Sequence, residues 1–278
     1  MFKYYHFHSN IMSNKIPFES EYVLHKLTQK NLKELFGLEF VASEIQLNDL
    51  RLDNLTFDPE TNSFVIIEYK NELNLNVINQ AQEYYDLIHE NKDYFADRLD
   101  EKTNVDFENT RVMIIGPEFT DSQLESDFEI WKITLFDDSR VTYENLKTEE
   151  VKTLKITEDD LKITRENLLE DKSDEIIGLY DKFEKCLLNE FDDINLKYLV
   201  DAVSIKSHGK FLCNVNVKNS IKIYYYTIKL DDFENRTRDI SQITTGGPKV
   251  NYELELDEDN IDYAIDLIKQ VYEQKVLT

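Results

Sequence analysis

The chain has 278 residues, 41% of them hydrophobic, and its 56 acidic residues outnumber 32 basic ones to leave a formal net charge of −24 at pH 7. That length suffices for two domains with separate cores. Two cysteines exclude a disulfide scaffold, no run approaches the roughly 18 uncharged apolar residues of a membrane span, and the charge excludes a uniformly basic nucleic-acid binder.

In the first residues, His6 and His8 alternate onto one face as paired metal ligands can, with no third ligand nearby. Residues 1–17 are expected to be an N-terminal extension. Phe18 to Phe36 carries apolar residues at Val23, Leu24, Leu27, Leu32, Leu35 and Phe36, a helical period, and Gly37 supplies a stop. Phe40 to Gln46 reads as a strand. Leu52 to Asp58 (LDNLTFD) reads as another and turns through Pro59-Glu60-Thr61-Asn62. Phe64 to Lys70 (FVIIEYK) is apolar on both faces, then abruptly charged, the pattern of a central strand whose end emerges at a site. Strand alternation puts Phe64, Ile66, Glu68 and Lys70 on one face and Val65, Ile67 and Tyr69 on the other.

A helix follows with Gln80 and Tyr84 one turn apart on one face. Arg111 to Gly116 (RVMIIG) is a further buried strand, and Glu129 to Phe136 (EIWKITLF) alternates as a strand does. The stretch Glu144 to Asp174 is highly charged and supplies a linker, although Val151 to Ile156 is able to close the first domain's sheet. Beyond it come a helix over Ile176–Phe191, strands over Tyr198–Ile205, Phe211–Val217, Ser220–Leu230 and Val250–Leu256, and a closing helix over Asn260–Glu273. Cys186 and Cys213 fall within apolar stretches and read as small buried hydrophobes of a reducing compartment, with a disulfide between them the lesser alternative.

The chemistry sits in the hairpin. If Asp58 pairs with Ser63, the antiparallel register brings Asp53 opposite Glu68, and directly opposed residues have Cβ atoms about 5 Å apart. Two facing carboxylates destabilise a sheet unless a cation lies between them. Hard oxygen donors without His or Cys favour Mg²⁺ or Mn²⁺. Lys70, beside Glu68, suits contact with a phosphate or an attacking water, and Gln80 and Tyr84 suit positioning it. The plainer reading is a hairpin with solvated charges at its end. The charge total opposes nucleic-acid binding, so a local basic groove, a protein partner or homodimer, or a different substrate has to reconcile the two.

These residues carry a resemblance. Ser20 to about Asn145 resembles the PD-(D/E)xK nuclease superfamily, specifically its NucS-like and RecB-like branch: an acidic residue on a helix, a strand ending in Arg-hydrophobic-Asp, a hairpin, a strand ending in Glu-x-Lys, then a helix with Gln and Tyr. The resemblance implies that Asp53 and Glu68 bind metal, that Lys70 is catalytic, and that Gln80 and Tyr84 complete the set. Glu21 is the first choice for the helix carboxylate and Glu44 the second. The Tyr22–Phe36 segment together with Asn76–Gln80 is also similar to a bacterial and archaeal group of nuclease-like proteins with a C-terminal domain of unknown function. Some members are labelled predicted transport proteins, and no residue here supports that label.

The expected architecture is α/β: a restriction-endonuclease-like mixed sheet flanked by helices over residues 18–157, a charged linker over 158–172, and a smaller α+β sandwich over 173–278. The expected activity is Mg²⁺- or Mn²⁺-dependent hydrolysis of phosphodiester bonds, with DNA or else RNA as partner, in the cytoplasm and without membrane attachment. The alternative is a module of the same fold that binds nucleic acid or protein without turnover. Arg51, together with Arg236, Arg238 and Lys249 around the loop Thr244–Pro248, is a candidate contact to nucleic acid beside the aromatic run Tyr224–Tyr226. For that second-domain loop the plainer reading is a solvated connection over core tyrosines.

Overall fold

The structure, a computed structural model, describes residues 13–99, 103–226, 229–241 and 250–277. His6 and His8 lie outside the described residues. The chain divides into two compact units, Met1–Lys162 and Ile163–Thr278.

The first unit runs β1 (Lys15–Ile16), α1 (Glu21–Lys30), α2 (Leu32–Phe36), β2 (Glu39–Leu47), β3 (Leu50–Asp58), β4 (Ser63–Tyr69), α3 (Val77–Glu90), α4 (Lys92–Ala96), β5 (Arg111–Gly116), α5 (Asp121–Leu124), β6 (Glu129–Phe136), β7 (Arg140–Asn145) and β8 (Val151–Lys155). Strands β2 to β8 form one sheet in chain order, and β1 pairs with the end of β6. The contacts β4–β5 and β5–β6 are parallel while the others are antiparallel, which makes the sheet mixed.

All seven residues of β4 are buried because helices cover both faces. Val65, Ile67 and Tyr69 pack with Leu24 and Leu27 of α1 and Leu32 and Leu35 of α2. Phe64 and Ile66 pack with Ala81, Tyr84, Leu87 and Ile88 of α3. The alternation along one strand thus divides two cores, and the charged end of β4 opens on the α3 side.

Several elements differ from the sequence reading. The helix over Phe18–Phe36 is two helices. Ser20 caps the first, its hydroxyl accepting from Val23 N at 3.3 Å, and Asn31 ends it, its amide donating to Leu27 O at 2.8 Å. An Asn that bonds back to the preceding turn competes with helix continuation. Gly37 then ends α2 with φ 71°, a conformation that glycine adopts without strain. Strand β7 was not expected, because the charges of RVTYEN obscure its inward set of Val141, Tyr143 and Asn145. Residues 158–172 are no free linker. Leu161 packs on the first unit's core, while Leu168 and Leu169 of α6 (Arg165–Leu169) belong to the second core.

The second unit continues with α7 (Asp174–Glu190), β9 (Ile194–Tyr198), β10 (Ala202–Ser207), β11 (Lys210–Val217), β12 (Ile221–Tyr226), β13 (Arg238–Asp239), β14 (Val250–Leu256) and α8 (Ile261–Lys275). Its antiparallel sheet, ordered β13-β14-β12-β11-β10-β9, shares one core with α7 and α8. The strand expected over Tyr198–Ile205 is a hairpin in which Tyr198 pairs with Val203, closed by Leu199 N donating to Ala202 O at 2.8 Å. The buried Glu184 carboxylate is held by Tyr180 and Tyr198 hydroxyls, each at 2.9 Å, and by Arg165 Nε at 2.7 Å, which ties α6, α7 and β9 together. Cys186 and Cys213 are free thiols. No helix among the described residues is long and apolar enough to cross a membrane.

Leu24 is fully buried on α1, the helix that also bears Glu21. Leu24→Ala is expected to cost about 2–5 kcal/mol, read as a lower urea midpoint at unchanged slope.

Candidate active site

The β3–β4 hairpin sets the site. Asp58 pairs with Ser63 and the ladder continues to Asn54 opposite Ile67, so the next residues along, Asp53 and Glu68, face each other. The far end of this hairpin is fixed by Arg111, whose guanidinium joins Asp58 at 2.8 Å and Glu129 at 2.7 Å. At the near end, Tyr69 N–H donates to Asp53 Oδ2 at 3.0 Å. The Tyr69 hydroxyl donates to Asn54 Oδ1 at 2.7 Å, and Asn54 Nδ2 donates to Gln29 Oε1 of α1 at 3.2 Å.

Glu68 is fully buried, and Lys70 Nζ donates to its Oε1. Its second oxygen, Oε2, has no hydrogen-bond partner. Burial, reinforced by the Asp53 carboxylate, pushes the Glu68 carboxyl up to about 8, against the pull of Lys70. For Lys70, burial works to lower the ammonium's pKa, but Glu68 outweighs it and the net direction is upward. Lys70 extends β4 by donating its backbone N–H to Ile115 O at 2.9 Å. Gly116 beside it matters for space: a Cβ there would stand 3.2 Å from the Phe119 ring and 3.5 Å from Lys70 O.

Asp53, Glu68, Lys70, Gln80, Tyr84, Glu21 and Arg51 line one open cavity of about 390 Å³, with Asp49 and Glu83 exposed at its margin. Glu21 Oε2 accepts from Asn71 N at 3.3 Å, and burial raises its carboxyl above the usual range. Glu44, the second choice for the helix carboxylate, lies on β2 as the strand reading of Phe40 to Gln46 expects, with φ 53°, and pairs with Arg51 Nε at 2.7 Å. Gln80 Nε2 donates to the Tyr84 hydroxyl at 2.6 Å, which donates to Arg51 O at 2.6 Å. These two residues therefore lock α3 onto β3. Burial, then the Glu68 charge, raises the Tyr84 phenol.

The sequence reading passed over His25. It lies one turn beyond Glu21 on α1, is buried, and stacks on Tyr69 with centroids 4.7 Å apart and planes 20° apart. Its Nδ1 stands 3.9 Å from Glu44 Oε1, and its Nε2 has no partner. Burial holds its pKa below the usual imidazole range, against the opposing pull of Asp53. The i, i+4 spacing from Glu21 was the available signal. Gly116 gave none, because it reads as the end of an apolar run.

Of the second-unit candidates, the described residues Arg236 and Arg238 are not joined into a comparable cluster. Arg236 Nε pairs with Glu234 at 2.6 Å, and Arg238 lies on β13 opposite Glu253. Tyr225 is core, whereas Tyr224 and Tyr226 are half-buried on the other face. Lys249 and the Thr244–Pro248 loop lie outside the described residues. Among the described residues no three His, Cys, Asp or Glu side chains gather closely enough to hold a metal ion unaided. The feature that does suit a cation is the unpartnered Glu68 Oε2 in an all-oxygen carboxylate pair.

No family model matches the chain. It is 30% identical over 287 residues to an uncharacterized protein of Haemophilus influenzae, covering 91% of this chain and 93% of that protein, and it belongs to the same family as that protein. Among solved structures it is similar to a complex of EndoMS with double-stranded DNA, at 17% identity and a TM-score of 0.30 over 39% of this chain and 41% of that one. It is also similar to a repair endonuclease from Pyrococcus abyssi, at 21% identity and a TM-score of 0.31 over 43% and 49%. The chain spans less than half the length of either.

Glu68 titrates near 8 when folded and near 4.5 in its ordinary state. Its raised folded value means that it supports folding fully below about pH 4.5 and that this support is lost as pH rises toward 8. Glu68→Gln, which cannot ionise, should be more stable than wild type by on the order of 1–3 kcal/mol at pH 8. The advantage should shrink toward pH 4, measured as paired urea melts across that range.

Proposed function

We propose that this chain is a divalent-metal-dependent nuclease that hydrolyses phosphodiester bonds, with DNA as its substrate. The observation that carries this reading is the convergence of Asp53, Glu68 and Lys70 on one cavity, with a buried Glu68 oxygen left unpartnered. The carboxylates of Asp53 and Glu68, supplemented by Glu21, would hold Mg²⁺ or Mn²⁺. When bound, such an ion lowers the pKa of a coordinated water and neutralises charge developing on the phosphoryl group.

The residues of the chain do the rest. The Tyr69 N–H fixes one Asp53 oxygen and so aims the other. The net pKa shift of Lys70 is upward, so it keeps its proton at neutral pH and acts as a donor to a phosphate oxygen. The Gln80 amide nitrogen is committed to Tyr84, and its carbonyl oxygen serves to accept from a water. Five carboxylates line the cavity against Arg51 and Lys70, and Arg51 is already paired with Glu44. Such a lining repels a polyanion unless its charge is compensated, which supports a metal-dependent reading and accommodates the net charge of −24.

A second reading, a binding module of the same fold without turnover, is favoured by two observations: Lys70 already occupies one Glu68 oxygen, and no three ligands stand gathered among the described residues. The two readings separate in a cleavage assay on single-stranded, double-stranded and branched DNA and on RNA, with Mg²⁺ or Mn²⁺. Cleavage should require the cation and fall at least about 100-fold in Asp53→Ala and in Lys70→Ala, with both variants folded. Equal activity in all three proteins would remove the assignment. Calorimetric Mn²⁺ binding lost in Asp53→Ala and Glu68→Gln, without cleavage of any substrate, would favour the second reading.

A further inference from the structure

A second cavity lies at the other end of the first unit's sheet. Because β4 and β5 are parallel, Arg111 at the start of β5 pairs with Val65, while Glu68 pairs with Ile114 farther along. The starts of β5 and β6 meet the outer face of α3 there and enclose about 630 Å³. That volume falls in the ordinary range for small-molecule sites. None of the residues assigned to the carboxylate site lines it.

Two hydroxyls in its lining, Thr110 Oγ1 and Ser126 Oγ, are buried and have no hydrogen-bond partner. A buried polar group without a partner is costly and uncommon, and its presence calls for an explanation such as a missing ligand. Each hydroxyl both donates and accepts, so the pair suits the mixed edge of a heterocycle. Tyr85 and Phe128 supply aromatic surface beside them. The cavity's cation is already spent, since Arg111 is shared between Asp58 and Glu129. With Asp127 and Glu129 also in the lining, the cavity is acidic and disfavours a phosphate.

We propose that this cavity binds an uncharged nucleobase or nucleoside, with Thr110 and Ser126 as its hydrogen-bonding contacts and Tyr85 and Phe128 as its apolar walls. The proposal stands independently of the nuclease reading, because it uses other residues at the other end of the sheet.

The test is calorimetric titration of the full chain with adenosine, guanosine, cytidine and uridine, and with each corresponding 5′-monophosphate. At least one nucleoside should bind with a Kd below about 1 mM, and its monophosphate should bind about tenfold more weakly or less. Thr110→Val keeps the shape and removes a hydroxyl that has no partner, so its thermal midpoint should match or exceed wild type while nucleoside affinity falls about tenfold. Ser126→Ala makes the same test should Thr110→Val fold poorly. Asp53→Ala should bind the nucleoside as wild type does. Absence of binding by all four nucleosides up to about 10 mM, tighter binding of the monophosphates, or binding that survives both hydroxyl deletions and disappears in Asp53→Ala would each overturn the proposal.

Discussion

A carboxylate at the end of a completely buried strand is the constraint around which the first unit is organised. Glu68 has no exposure, and only one of its two oxygens is engaged, by Lys70. Burying an ionised group is unfavourable unless charge and hydrogen bonds compensate it. Everything that surrounds Glu68 can be read as that compensation or as its limit. Lys70 comes from the same strand face two residues on. Asp53, which opposes compensation, is held where it is by the Tyr69 backbone N–H.

The hairpin register is what makes this conflict unavoidable. A slip of one residue in β3 against β4 would send Asp53 to the opposite core. The register is pinned across the two strands by the Tyr69 N–H on Asp53, while the Arg111 bridge ties the Asp58 end of β3 to Glu129 of β6. The Tyr69 side chain adds a chain of contacts through Asn54 to Gln29, and its ring stacks on His25. Helix α1 is thereby tied to the carboxylate pair from the face opposite α3. Helix α3 is tied to it through the Tyr84 hydroxyl on the Arg51 carbonyl. Both layers converge on one strand end.

Much of this was legible in the residues. Alternation in FVIIEYK assigns Glu68 and Lys70 to one face and Tyr69 to the other, and the turn formers Pro59 to Asn62 fix the register that opposes Asp53 to Glu68. What remained hidden was whatever depended on contacts distant in sequence. Asn31 breaks a helix whose apolar period continues across it. The charges of Arg140 and Glu144 mask an alternating strand, and Leu168 and Leu169 join the second core from inside a charged stretch. His25 looked like one more residue of an amphipathic helix because its stacking partner, Tyr69, lies on a different element. Arg236 reads as a free cation in the sequence, although its neighbour Glu234 pairs with it.

Gly116 carries a different kind of restriction. It contributes no atom to the chemistry, yet a single added methyl group would crowd the Phe119 ring and reach contact with the main chain of Lys70. Its φ is not in the left-handed region, so the requirement is volumetric and not conformational. A side chain at this position therefore has to be accommodated by a shift of the Phe119 ring, while the lysine that follows β4 is met only at ordinary contact distance.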